Sequence, residues 1–226
     1  MSRHRKTGRA MRKRMVLSSL SVPLMVLGVG FGGYNLLNFS QGYHAVDNRD
    51  IEASEFVSTA GEETGELPAQ KVAADRDFDP LYSTFPEEGE EFGELIIPKL
   101  KAAMPVFHGA DPDELAKGVG HYAESVLPGM GNNSVLSGHR GTVFRELGKV
   151  GEGDLLIVRT EAGEFTYKVH TVRIVDDMDK TVIVQKDEAT LTLTTCYPFG
   201  FIGDAPKRYV LVAELVNSNT NKVNEV

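Results

Sequence analysis

Thr190-Leu191-Thr192-Leu193-Thr194-Thr195-Cys196-Tyr197-Pro198 is the stretch from which the fold is read. Leu191 and Leu193 alternate with Thr190, Thr192 and Thr194, the period-2 pattern of a half-buried strand rich in β-branched residues. Pro198 cannot donate to a sheet ladder, so regular pairing should stop about there. Cys196 is thereby placed where a rigid strand gives way to a loop, a good mount for a reactive group. It is the only cysteine in 226 residues, so no disulfide can form within the chain. On this stretch alone it is either a nucleophile or a small buried hydrophobe.

Short strand patterns surround it. Glu94–Leu100, Met104–Phe107, Asn133–Ser137, Asp154–Arg159, Phe165–Val175, Thr181–Val184 and Tyr209–Leu215 all read as strands. Pro98 and Pro105 mark edges or bends. Glu161-Ala162-Gly163 signals a hairpin. Asp111 to Gly118 reads as a short helix, with Asp111 as N-cap, Pro112 in the first turn, Glu114 completing a capping box and Gly118 at its end. Thr142–Leu147 suits one or two helical turns capped by Thr142. Many short strands with brief helices predict a mainly β, closed or nearly closed barrel. The tail beyond Asn217 is polar and expected to fray, leaving 93–217 as the folded domain and 218–226 as its tail.

The chain ahead of the barrel is of a different kind. Residues 1–14 carry seven basic side chains and no acid. Subtracting that +7 from the net charge of −8 leaves −15 for the rest, which argues against nucleic acid as a partner. Residues 15–39 carry no charge at all and are about as long as the ~20 residues that cross a bilayer. Basic residues before the run and almost none just after predict one uncleaved signal-anchor, N-terminus in the cytoplasm and domain outside. Residues 40–92 are polar and acidic and read as an extracellular stalk. Within it Phe78-Asp79-Pro80-Leu81-Tyr82 is an apolar island, suited either to a lid over a site or to a clip on the domain surface.

Three residues stand at strand ends: His139 after Val135-Leu136-Ser137-Gly138, Cys196, and Arg208 opening Tyr209-Val210-Leu211-Val212. A cysteine attacks as its thiolate. A histidine can protonate a leaving amine and deprotonate an incoming one. A guanidinium suits the oxyanion of a tetrahedral intermediate. The set suffices for acyl transfer, but spacing alone does not show that the three meet.

Leu193-Thr194-Thr195-Cys196 with Arg208 twelve residues on resembles the signature of the sortases, the cysteine transpeptidases of Gram-positive cell surfaces. Ser137-Gly138-His139-Arg140 matches their histidine segment. The run Thr195-Cys196-Tyr197-Pro198-Phe199, Ile202-Gly203-Asp204-Ala205-Pro206 before Arg208, and Gly120-His121-Tyr122-Ala123 ahead of Leu127-Pro128-Gly129 are similar to class D. The resemblance implies a closed eight-stranded β-barrel after one transmembrane helix. It implies that Cys196 attacks the Thr carbonyl of an LPxT-type sorting signal on a secreted protein, with His139 as acid and base and Arg208 on substrate and oxyanion. An amine of lipid II or peptidoglycan would resolve the thioacyl-enzyme.

Thr195, His121 and Arg140 are further candidates for substrate contact, His121 equally suiting a core hydrogen bond. No cofactor is expected. Some sortases bind calcium, but Glu152, Asp154, Asp176, Asp177 and Asp179 form no legible loop motif. Three other readings compete. One is a pilin-polymerising enzyme, another a tethered peptide-binding module in which Cys196 is packing. The third is an L,D-type transpeptidase, which wants glycine and arginine where Thr195 and Tyr197 stand.

Overall fold

In the computed structural model, residues 23–37, 40, 44–48, 81–201 and 203–221 are described. The chain divides into two units, residues 1–40 and 41–226. In the first, residues 23–37 form a helix, α1, whose Leu24, Val26, Phe31 and Leu36 side chains are all exposed. Among the described residues no helix is long and apolar enough to cross a membrane. The uncharged run begins at Met15, so its first eight residues, like the basic segment 1–14, lie outside the described part.

The second unit is a barrel. Its strands are β1 (Asp47–Asn48), β2 (Glu91–Ile97), β3 (Ala102–His108), β4 (Val119–His121), β5 (Asn133–Ser137), β6 (Leu155–Thr160), β7 (Gly163–Asp176), β8 (Thr190–Tyr197) and β9 (Lys207–Thr220). Eight of them run in the order β3-β2-β6-β7-β9-β8-β5-β4, and β4 returns to pair in parallel with β3, which closes the ring. The two-residue β1 pairs with Ala102 and Ala103, the part of β3 that three-residue β4 leaves uncovered. Closure and this short graft cover the exposed backbone of β3.

Alternation sorts side chains to the two faces of the wall. Leu191 and Leu193 of β8, and Tyr209, Leu211 and Ala213 of β9, enter the main core with Phe165, Tyr167 and Val169 of β7. Val210, Val212, Val175 and Val182 form a separate cluster. A register shift between Val169 and Thr171 re-phases β7, so that Val172 again packs on the main core and Val175 joins the second cluster. Helix α2 (Pro112–Lys117) follows the expected capping box: the Glu114 carboxylate accepts from the Asp111 amide at 3.1 Å.

Several boundaries move. Thr181–Val184 is not a strand; Val182 is buried in the second cluster while Val184 offers its carbonyl to Asn133. Side chains hold this stretch instead of a ladder: Arg173 donates to the Thr181 hydroxyl at 2.9 Å, and the Thr181 amide donates to Asp179 at 2.8 Å. The tail is paired as far as Thr220, because the hairpin half of β7, from Gly163, needs a partner on its far edge. The domain also starts before Gly93. The Tyr82 hydroxyl donates to the Pro128 carbonyl at 2.6 Å and lies 3.1 Å from Thr160 Oγ1, and Leu81 and Phe92 pack on the core. Ala45 and Val46 pack there too, ahead of β1. Residues 44–48 and 81–92, expected in the stalk, thus belong to the barrel unit. Leu81 and Tyr82 act as a clip; Phe78, Asp79 and Pro80 lie outside the described residues.

A chain beginning at Leu81 should therefore unfold cooperatively. One beginning at Gly93 should lose about 3–6 kcal/mol, from the two Tyr82 hydrogen bonds and the burial of Tyr82 and Phe92. Urea melts of the two truncations compare them directly.

Candidate active site

The site is built by register. Parallel β5 and β8 align Ser137 with Thr194, and the Gly138 amide continues the ladder to the Thr194 carbonyl at 3.3 Å. The pairing ends there, with His139 two residues beyond Ser137 and Cys196 two residues beyond Thr194. On its other edge β8 pairs with β9, where Cys196 is directly opposite Arg208; β9 in turn pairs Arg208 with Val175 of β7. Directly opposed residues share a face, and neighbouring strands lie about 4.8 Å apart. Cys196 and Arg208 consequently stand side by side on the wall's outer face, with His139 two residues beyond the end of β5. Arg208 shares that face with Val210 and Val212, so the pair stands at the end of a small apolar floor. Cys196 is half-buried.

Each member is held from behind. Thr195 alternates inward, is 3% exposed, and its hydroxyl donates to the Gly138 carbonyl at 2.7 Å. That hydroxyl ties the residue before Cys196 to the residue before His139. Gly138 must be glycine here, since a Cβ would sit 2.6 Å from the Phe144 ring. The His139 carbonyl accepts from the Thr142 and Phe144 amides, and the turns that follow put Val143, Phe144 and Leu147 into the core. Thr142 does not cap them through its side chain: its buried Oγ1 has no partner among the described residues. A 3-10 turn, Leu147–Lys149, ends this segment.

Partial desolvation lowers the pKa of His139 although the residue is exposed. The neutral imidazole therefore prevails near pH 7, and its protonated form is a stronger acid than free imidazolium. Arg208 commits Nη1 to the carbonyls of Ala205 and Lys207, each at 3.0 Å.

The three weaker candidates fall elsewhere. Arg140 turns its guanidinium to the loop between β8 and β9, donating to Pro198 O at 3.2 Å and Gly203 O at 2.6 Å. Thr195 is spent on Gly138, as described. His121 is 0% exposed and presents no surface to a substrate. Its Nε2 lies 2.9 Å from the Val126 carbonyl and must donate to it, which leaves Nδ1 to accept from Nδ1 of His108 at 3.1 Å. The two rings stack, and Phe92 meets His121 edge-on. Nothing in the His108 segment signalled this pairing, since the two residues lie on different strands brought together by barrel closure. The acids weighed for calcium are engaged in part: Asp154 with Lys99 and the Gly151 amide, Asp179 with Thr181 and Arg173. Among the described residues no group of three or more His, Cys, Asp or Glu is placed to hold a metal ion.

Comparison with known proteins agrees with this geometry. A sortase-domain family model matches residues 95–216. Sortase D of Bacillus subtilis is 36% identical over 201 residues, spanning 86% of this chain and 98% of its own. The catalytic domain of SrtD from B. anthracis superposes with a TM-score of 0.52 at 42% identity, covering 64% of this chain and 98% of that one. A sortase D5 transpeptidase of Clostridium perfringens superposes at 0.53 with 27% identity, covering 58% and 82%.

Two consequences can be measured. Thr195→Val leaves the buried Gly138 carbonyl without its donor, so stability should fall by about 1–3 kcal/mol. Turnover of a peptide substrate should fall about 10- to 100-fold as the histidine and cysteine segments drift apart, with Thr195→Ser recovering most of it. The second concerns acid. Burial is the main reason the His121 pKa falls to about 4, below the ordinary 6.5. The folded chain then binds fewer protons than the unfolded one between those values. His121's contribution, roughly 3 kcal/mol, is fully present above pH 6.5 and is lost as pH falls towards 4. Urea melts between pH 7 and 4.5 should show this slope, and His121→Gln should flatten it by more than half.

Proposed function

This chain belongs to the sortase family of cysteine transpeptidases, and from that premise we propose that it joins secreted proteins bearing an LPxT-type sorting signal to a cell-wall amine. The observation that carries this reading is the direct pairing of Cys196 with Arg208 on adjacent strands, with His139 two residues past the end of the strand on the other edge of β8.

Neutral His139 takes the proton of the Cys196 thiol, and the resulting thiolate attacks the carbonyl of the signal's Thr. The tetrahedral oxyanion is stabilised by Arg208, whose Nη2 and Nε make no hydrogen bond among the described residues and so remain for substrate. Collapse breaks the peptide bond after Thr, and the leaving amine takes its proton from the His139 imidazolium. The product is a thioacyl-enzyme. An incoming amine, from lipid II or peptidoglycan, then attacks the thioester and loses a proton to neutral His139, and the Cys196 sulfur departs.

The proposed setting is the outer face of the cell membrane, with a single span at 15–39 and the N-terminus inside. Seven basic residues ahead of an uncharged run support it, as does α1, with apolar side chains exposed all round. Both substrates of such a reaction are membrane-tethered, so tethering the enzyme raises their effective concentration.

The test uses the full chain in detergent, quenched LPxT-type peptides, and hydroxylamine as a surrogate amine, with products read by mass spectrometry. Cleavage after Thr, hydroxamate formation, and loss of both in Cys196→Ala are expected. Arg208→Lys should lower kcat/KM by about 100-fold, since a point charge cannot replace the planar fork. Absence of cleavage by a chain whose Cys196 is still alkylated would overturn the assigned signal. Resistance of Cys196 to alkylation would overturn the reaction itself.

A further inference from the structure

The loop between Cys196 and Arg208 carries two left-handed glycines, Gly200 at φ +72° and Gly203 at φ +112°, and a half-exposed Phe201. Backbone of this kind has many conformations open to it. Its ends are held by the site's own strands. Phe199 packs on Tyr197 and Tyr209 and lies against Gly148, and Arg208 takes the Ala205 carbonyl. The middle is held by one residue from another segment. Arg140 forks onto the Pro198 and Gly203 carbonyls and lays its guanidinium over Phe201, 5.7 Å from the ring centre. Arg140 directly follows His139, whose carbonyl is fixed by two amides.

We propose that Arg140 is a positioning residue for the reaction set out above. It clamps the Cys196–Arg208 loop to the histidine segment and so holds the gap between His139 and the Cys196–Arg208 pair at its working width. The geometry supports this over a substrate contact, because both outer nitrogens of the fork already donate to loop carbonyls on either side of Phe201. The histidine and cysteine segments are thus tied twice. Thr195 ties them at strand level, from the core, and Arg140 ties them at loop level, from the surface. The first tie sets register; the second sets the position of the chain beyond the strand ends, where the register no longer applies.

The experiment compares wild type, Arg140→Ala and Arg140→Lys as full chains in detergent. The readouts are peptide kinetics, Cys196 alkylation and amide hydrogen exchange by mass spectrometry. In Arg140→Ala, kcat should fall about tenfold or more while KM changes less than about threefold, the signature of a misplaced group rather than a lost binding contact. Arg140→Lys should recover little, because an ammonium reaches one carbonyl and not two. Exchange should rise in 198–206 and stay unchanged in β5, β8 and β9, and Cys196 should alkylate at the wild-type rate. Wild-type kcat in Arg140→Ala would overturn the clamp. So would a rise in KM with kcat unchanged, which would make Arg140 a substrate contact, or unchanged exchange in the loop. Should the wild-type chain turn over no peptide, the transpeptidase reading fails while the exchange data still decide the clamp.

Discussion

The parallel pairing of β5 with β8 is the constraint on which the site depends. Antiparallel hairpins place residues by turn geometry, but these two strands are 52 residues apart from end to start, Ser137 to Thr190 reckoned as the intervening stretch, and no turn sets their register. Side chains do. Leu191 and Leu193 must face the core, Leu136 must join them, and the Thr195 hydroxyl must meet the Gly138 carbonyl. A slip of one residue on β8 would send Cys196 into the core and Thr195 out to the surface, because the side-chain period is two. The outward aim of Cys196 is thus a by-product of core packing. The barrel buries one face of each strand, and the next residue along is aimed outward by necessity.

This arrangement explains why the residues before the cysteine and the histidine are small or hydroxylated. Gly138 is pressed against Phe144, where no side chain fits. Thr195 is buried and would be an unsatisfied polar group without its carbonyl partner. Each is inexpensive in its own place and costly to replace, since the neighbour it positions carries chemistry. On the far side of Cys196 the same logic holds with antiparallel pairing. Arg208 is opposite Cys196 and Val175 is opposite Arg208, so the guanidinium is flanked by a thiol on one strand and an apolar wall on the other.

Much of this is legible along the chain, and what is not has physical causes. The alternation through Leu191 and Leu193 specifies β8 and the place of Cys196, and Asn133–Ser137 is read to its ends as β5. Val119–His121 is not, because three residues are too few for alternation to show; yet this strand closes the barrel against β3. Thr181–Val184 has strand composition but is held through side chains, Arg173 and Asp179 at Thr181, a matter of tertiary contacts rather than of local sequence. Tyr82 sits in an acidic stretch that looks like a spacer, and only its partners Pro128 and Thr160, distant in sequence, reveal it as part of the domain. His121 resembles a site residue by its motif, whereas its burial against His108 makes it a core pair. At the site, His139, Cys196 and Arg208 were nameable from residue types and resemblance. The adjacency of Cys196 and Arg208 comes from a strand register that no spacing encodes.

The division of labour between strands and loops follows from these facts. Strands fix the Cα positions of Cys196 and Arg208, so the loop joining them is free to carry glycines without endangering register. That freedom has a cost, since a reacting group at a strand end is only as well placed as the chain just beyond it. The guanidinium following His139 answers this at the middle of the loop, and the aromatic trio of Tyr197, Phe199 and Tyr209 answers it at the start. Tyr209 reaches further, donating its hydroxyl to the Val150 carbonyl at 2.8 Å, at the end of the turns that follow His139. The histidine segment is therefore bound to the cysteine and arginine strands at three heights: by Thr195 to Gly138, by Tyr209 to Val150, and by Arg140 to Pro198 and Gly203. Only the third lies at the surface, where an approaching peptide could disturb it. The two buried ties hold these segments together whether or not a substrate is present, and the exposed one is where substrate and site geometry can be coupled.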